Sequence, residues 1–186
     1  MKKILLLFLP VILFSCSSLR TDVFPITDPT CKGSADLPQH LISQFEPAED
    51  AKLLQEALAE PDKGGLCQGK VYISKTDVPV YRSWNSTNPF SKSGKWWSFD
   101  TPAGKVASYR EEFAICYQWS PLDKMSSCTL KKGTRIVVGT GQSARCSEYL
   151  TYPVSDRKQI YIPDASLSVT DCTDYDGLLN WSLVME

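Results

Sequence analysis

"TRIVVGTGQSARC", Thr134 to Cys146, poses the question of the fold. A β-branched run leads into Gly139, Gly141 and Ala144, which have the spacing of the G-x-G-x-x-G/A turn that cradles a dinucleotide pyrophosphate. That reading needs a helix opening at the turn and a parallel strand after it. The following "ARCSEYLTYPVSDRKQ" carries no helical period of that length, and only 42 residues follow Ala144. A doubly wound sheet has no room to continue. The stretch reads instead as a strand leaving through a Gly-rich turn stapled by Cys146.

The surrounding chain agrees with a strand-rich fold. From Lys70 onward, "KVYISK", "VPVYRSW", "KWWSF", "TRIVVG", "QIYIP" and "LLNWSLVM" are short β-branched or aromatic runs parted by turn residues. Between them, "TPAGKVASYREEFAICYQW" predicts a helix with Thr101 as N-cap and Pro102 in its first turn. Its apolar face would hold Val106, Tyr109, Phe113 and Cys116, with Tyr117 beside them. Upstream, "EPAEDAKLLQEALAEPDKGG" predicts a packing or spacer helix with a stripe of Ala51, Leu54 and Leu58, ended by Pro61 and Gly64-Gly65. The expected class is α+β, mostly antiparallel sheets with a few helices, stabilised by disulfides.

The start of the chain bears on the compartment. "MKKILLLFLPVILFSCSS" has two lysines and then an apolar run from Ile4 to Phe14, the layout of a secretory signal and too short for a comfortable span. Leu13-Phe14-Ser15-Cys16 resembles the lipobox of bacterial lipoproteins, in which cleavage before the Cys precedes its acylation; Phe14 departs from the usual residue. We therefore expect a signal peptide over 1–15, lipidation at Cys16, a tether over 16–45 and a single domain over 46–186. The expected location is the bacterial cell envelope, anchored by lipid and facing the periplasm or the cell surface.

Without Cys16, six cysteines remain: Cys31, Cys67, Cys116, Cys128, Cys146 and Cys172. In an exported chain an even set reads as three disulfides, with fifteen connectivities open. Zinc is disfavoured because there is no C-x-x-C pair and the only histidine is His40. The same scarcity sets aside Ser-His-Asp and Cys-His hydrolases. "DCTDYDG", Asp171 to Gly177, places three Asp before a Gly, but an EF-hand register would put Cys172 at its first ligand position and Leu183 at its last. It reads as a solvated, disulfide-bearing turn. The formal charge of −1 argues against nucleic acid, which calls for a concentrated basic face.

One order of motifs points to chemistry. "VYRSW", "SGKWWSF", the Tyr109-Arg110 helix, "LKKGTRIVVGTGQS" and "QIYIP", together spanning roughly Val71 to Pro163, resemble the ADP-ribosyltransferase-like domains of bacterial polymorphic toxins. The likeness is nearest the branch that includes the tuberculosis necrotizing toxin, which splits NAD. The resemblance implies that Arg82, ending the first core strand, helps hold NAD; a guanidinium fork suits phosphate or ribose oxygens. It implies that Trp96, Trp97 and Ser98 lie on the strand bearing a Ser-Thr-Ser type motif in transferases, only Ser98 matching, and that one Trp stacks on a ring of the nucleotide. Tyr109, Arg110 and Gln142 are its secondary cleft residues, and the 139–143 turn would edge the cleft.

The last motif carries the mechanism. Four residues before Pro163, where transferases have a catalytic Glu, stands Gln159, as in the NAD-splitting branch. Breaking the bond between nicotinamide and ribose develops positive charge on the sugar. A carboxylate would stabilise that charge and activate an acceptor, whereas an amide can only hydrogen-bond ribose hydroxyls or position water. The resemblance thus implies an NAD glycohydrolase with Arg82 and Gln159 as catalytic residues and NAD as substrate rather than as a tightly bound cofactor. Transfer of ADP-ribose is a weaker option. The alternative class is a non-catalytic, disulfide-rich surface lipoprotein that binds a host or envelope partner; an immunity protein is a further partner of the enzyme reading.

Overall fold

In the computed structural model, which describes residues 31–184, the runs Ile136–Val138 and Ile160–Ile162 are buried on both faces. Successive strand residues point to opposite sides of a sheet. Ile136, Val138, Ile160 and Ile162 accordingly face one core, while Val137 and Tyr161 face another. The signal segment, Cys16 and the tether up to residue 30 lie outside the described residues.

The chain begins with a 3-10 turn at Gln39–Gln44 and β1 (Phe45–Pro47), followed by α1 (Ala51–Ala57), β2 (Leu66–Ser74) and β3 (Val78–Trp84). A second 3-10 turn, Pro89–Ser93, precedes β4 (Trp96–Trp97), α2 (Val106–Glu112), β5 (Lys124–Leu130) and β6 (Arg135–Gly141). Then come β7 (Ala144–Arg145), β8 (Thr151–Tyr152), β9 (Lys158–Tyr161), α3 (Ala165–Ser168), β10 (Val169–Asp176) and β11 (Ser182–Leu183). One sheet has the order β1-β2-β6-β9-β4, the second β11-β10-β5-β3, and β7 pairs with β8. The strand pairs are antiparallel. The fold is α+β.

The main core lies between the two large sheets, with Tyr72, Ile136, Val138 and Ile160 meeting Val78, Val80 and Leu130. The opposite face of the first sheet is covered by α1, through Leu53 and Ala57 against Leu66, Val71, Val137 and Tyr161. Three disulfides close the structure: Cys31–Cys67, Cys116–Cys146 and Cys128–Cys172. On the chain-entropy account each loop of this length stabilises the fold by about 4 kcal/mol. Three disulfides fit an oxidising, exported environment. No helix among the described residues is long and apolar enough to cross a membrane.

Several sequence expectations need correction. Residues 31–45 are part of the domain rather than of a tether: Leu37, Leu41 and Phe45 are buried in the main core, and Cys31 is bonded to Cys67. The buried stripe of α1 is Leu53 and Ala57, with Leu54 and Leu58 at its edge and Ala51 exposed, because Asp50 caps the helix by accepting from the Leu53 N–H. Helix α2 starts at Val106, not beside Thr101, since Gly104 takes a left-handed φ of 95°. It stops at Glu112, so Cys116 joins a separate cluster with Cys146.

Asp171 to Gly177 is not a turn either: most of it forms β10, paired with β5 across a bulge that carries Cys172. In "VVGTG", Gly139 and Gly141 are strand residues. A Cβ on Gly139 would stand 2.0 Å from the Gln68 carbonyl oxygen, so glycine is required there by strand approach and not by a phosphate.

Candidate functional site

The two large sheets touch edge to edge at one place. Tyr81, on β3, and Ser98, just past β4, exchange backbone hydrogen bonds of 2.9 and 2.8 Å. Beside this bridge a cleft of about 490 Å³ opens, a size in the ordinary range for a small-molecule site. Arg82, Trp96, Trp97, Ser98, Tyr109 and Gln159 all line it. Arg110 and Gln142 do not.

Arg82 falls in the same alternating row as the core residues Val78 and Val80, toward the end of the strand, and is half-buried. Its Nε donates to the Ser91 carbonyl at 2.7 Å and its Nη1 to the Trp96 carbonyl at 2.5 Å. Among the described residues no carboxylate forms an ion pair with it. Burial pulls the guanidinium down to about 10, still charged at neutral pH, and the nearby Tyr109 phenol offsets this in part. Gly94 leaves the room it occupies, since a Cβ there would lie 2.1 Å from Nη2. A half-buried cation satisfied only by carbonyls keeps N–H groups and net charge for an anion.

Burial pushes the Tyr109 phenol up to about 12, with the Ser83 hydroxyl and Arg82 acting in the other direction. The Ser83 Oγ bears on that phenol yet is buried without a hydrogen bond of sound geometry. An unpartnered polar atom on a cleft wall is unusual and costs stability.

Gln159 sits on β9 opposite Gly139 and is 7% exposed. The end of α2 fixes it. Gln159 Nε2 donates to the Phe113 carbonyl at 3.3 Å, Ser155 Oγ donates to the Glu112 carbonyl at 2.5 Å, and Arg157 pairs with Glu112 at 3.0 Å. The first two satisfy carbonyls at the helix end, and the third holds the Glu112 carboxylate. The amide oxygen of Gln159 takes no hydrogen bond from the described residues.

The Trp pair divides as alternation requires. Trp97 is in the main core with its indole N–H on the Gly94 carbonyl, whereas Trp96 packs edge-on to Tyr161 on the α1 side and is half-buried. Ser98 Oγ donates to the Asp100 carbonyl at 2.6 Å, leaving it only as an acceptor.

Two expected cleft residues have other duties. Arg110 donates to the carbonyls of Ile115, Cys116 and Ser120 and ties down the loop after α2. Gln142 is buried, donating to the Ala59 carbonyl and accepting from the Ser143 N–H. The sequence reading missed Glu56, the only carboxylate lining the cleft among the described residues, and Trp119. Nothing in their local pattern marks them, because a helix end and a disulfide-closed loop bring them in. That loop is bounded by Ala114 and Leu122, two buried non-glycine residues at φ 50° and 63°. Such backbone strain gathers at functional sites.

Among the described residues no cysteine, His, Asp and Glu group could hold a metal ion, and the six cysteines are consumed in disulfides. Comparison with protein-family models, with curated proteins and with solved structures finds no match.

Proposed function

We propose that the chain is an exported lipoprotein whose domain is ADP-ribosyltransferase-like and whose cleft binds NAD and hydrolyses it to nicotinamide and ADP-ribose. The observation that carries this reading is that Arg82 from β3 and Gln159 from β9 line the same cleft, in separate sheets and far apart in the chain. Arg82 supplies charge for the pyrophosphate or ribose oxygens of the substrate. The open amide oxygen of Gln159 accepts from a ribose hydroxyl or orients water. Water adds to the anomeric carbon as its bond to the ring nitrogen breaks. Nicotinamide leaves with the bonding pair, which neutralises its positive charge, and the water gives up one proton to solvent.

A neutral amide at 159 favours hydrolysis over transfer to a protein acceptor, because activating an acceptor calls for a base. The test is to incubate the oxidised, mature chain with NAD and to quantify nicotinamide and ADP-ribose together. Equal release of both supports hydrolysis; nicotinamide without free ADP-ribose indicates transfer.

A second reading has its own support. The hydrogen bonds from Arg82 to the Ser91 and Trp96 carbonyls are those of a structural clasp on the loop between β3 and β4. On that reading the domain is a disulfide-stiffened binding module for a host or envelope partner, and NAD is neither bound nor consumed.

A further inference from the structure

The cleft has lining besides Arg82 and Gln159. Its floor includes Gly64 and Gly65, held by backbone hydrogen bonds from Gly64 N–H to the Ser143 carbonyl (2.8 Å) and from Gln142 N–H to the Gly65 carbonyl (2.9 Å). Two indoles stand over that floor. A Cβ built on Gly64 would lie 3.2 Å from Cη2 and 3.4 Å from Cζ3 of Trp119, and one on Gly65 would lie 3.6 Å from Cη2 of Trp96. Trp119 thus comes nearest Gly64 through Cη2 and Cζ3, and Trp96 comes near Gly65 through Cη2, atoms on the six-membered ring.

Trp119 is 50% exposed although it lines a cleft. What sets it apart from the other exposed aromatics Phe90, Tyr117 and Tyr149 is its place on the cleft wall, where an indole offers a flat apolar surface to a ring. The backbone that carries it is held in place. Its backbone N–H closes a turn on the Cys116 carbonyl at 3.0 Å, Cys116 is bonded to Cys146, and Gln118 Nε2 donates to the Cys146 carbonyl at 2.7 Å. A residue fixed by a disulfide and a side-chain bond loses little entropy on binding.

We infer that Trp119, which lines the cleft together with Trp96, walls a slot that takes the planar heteroaromatic base of a nucleotide while Arg82 meets its phosphate. The assignment rests on the nucleotide reading of the cleft and adds the residue that recognises the ring. Adenine and nicotinamide share the necessary chemistry, a flat π-surface with little hydrogen-bond demand on the indole face. Gly64 belongs to the same device, since a side chain there would meet the Trp119 ring edge, and its φ of 71° disfavours one in any case.

The test uses the oxidised mature chain and three probes: AMP, nicotinamide mononucleotide and inorganic pyrophosphate, titrated by calorimetry. Trp119→Ala is expected to weaken at least one mononucleotide about tenfold or more, while Trp119→Phe, which keeps a ring, stays within about threefold of wild type. Pyrophosphate binding should be the same in all three proteins. The mononucleotide that weakens identifies the half of the dinucleotide in the slot. If the alanine variant melts early, Trp119→Leu keeps apolar bulk without a ring and serves instead. Mononucleotides that bind equally to wild type and to the ringless variants, or that do not bind wild type, overturn the inference. Ring-dependent binding without nicotinamide release from NAD would leave the slot standing and remove the hydrolase reading. NAD cleavage with no dependence on Trp119 would do the reverse.

Discussion

Tyr81 and Ser98 exchange two backbone hydrogen bonds, 2.9 and 2.8 Å long, and through them the edge of one large sheet meets the edge of the other. The candidate cleft lies beside that junction, where Arg82 adds a side-chain bond from β3 to the Trp96 carbonyl of β4. Ser98→Pro removes one N–H of the pair and leaves the Tyr81 carbonyl unsatisfied, at a cost of about 1–3 kcal/mol. Ser98→Ala keeps both backbone bonds and should cost about 1 kcal/mol or less. Urea denaturation of the two variants distinguishes them; equal losses would show that the bridge does not hold the sheets together.

Gly94→Ala is a probe of Arg82 that leaves the charge in place. Gly94 has a φ of −66°, which any residue adopts, so the substitution acts through sterics alone: its Cβ would stand 2.1 Å from Nη2. The guanidinium must move. We expect a stability loss of about 1–3 kcal/mol together with weaker binding of pyrophosphate. Pyrophosphate affinity unchanged in a folded Gly94→Ala protein would mean that Arg82 does not face the ligand.

Tyr109 sets an alkaline limit on stability. Its folded value is about 12 against an ordinary 10.0, raised chiefly by burial. Stability from the neutral phenol is fully present below pH 10 and is lost as pH rises through about 12. Arg82, lowered by burial to about 10, acts in the opposite sense over the same range in both wild type and variant. The difference in stability between Tyr109→Phe and wild type should therefore shift in favour of the variant as pH goes from 10 to 12. A difference that does not change over that window would place Tyr109 in solvent.

The disulfides are expected to separate stability from the site. Replacing Cys116 and Cys146 by Ser, or Cys128 and Cys172 by Ser, removes about 4 kcal/mol in either case on the chain-entropy account. Only the first pair holds the loop from Ala114 to Leu122 that walls the cleft, whereas the second joins β5 to β10 in the other sheet. Nucleotide binding measured well below each melting point should fall in the first variant and persist in the second. The same loss in both would deny the loop its part in the site.

The legible parts of this fold were those whose burial leaves a mark on local sequence. In "RIVVG" and "QIYIP" the central residues Ile136–Val138 and Ile160–Ile162 are buried on both faces and are apolar or aromatic, so they read directly as central strands. β5, "KMSSCTL", and β10, "VTDCTDYD", escaped notice because Ser, Thr and Asp occupy them: β10 is largely exposed, and the buried Ser126 in β5 is satisfied by the Trp84 indole and by Asp174. The segment from Cys31 to Phe45 has the polar, Pro-bearing composition of a linker, and what binds it to the domain lies far away in sequence: the disulfide to Cys67, hydrogen bonds from Gln68 and Lys158, and the core into which Leu37, Leu41 and Phe45 insert.

The site divides in the same way. Arg82 and Gln159 were reached through the order of short motifs, not through local chemistry. Arg110 and Gln142 were misplaced because nothing local tells whether a polar side chain serves a ligand or a backbone carbonyl. Trp119 was missed because its place depends on the Cys116–Cys146 pairing, which counting cysteines leaves open.

The decisive measurement is nicotinamide release from NAD by the oxidised mature chain, with Gln159→Ala and Arg82→Ala assayed beside it and melting curves recorded for all three. The NAD-splitting account predicts turnover by wild type and a fall of about 100-fold or more in each folded variant, the scale of losing a group that acts in the transition state. Folded wild type that releases no more nicotinamide than either variant would contradict it, and would leave the clasp formed by Arg82 as the reason that residue is there.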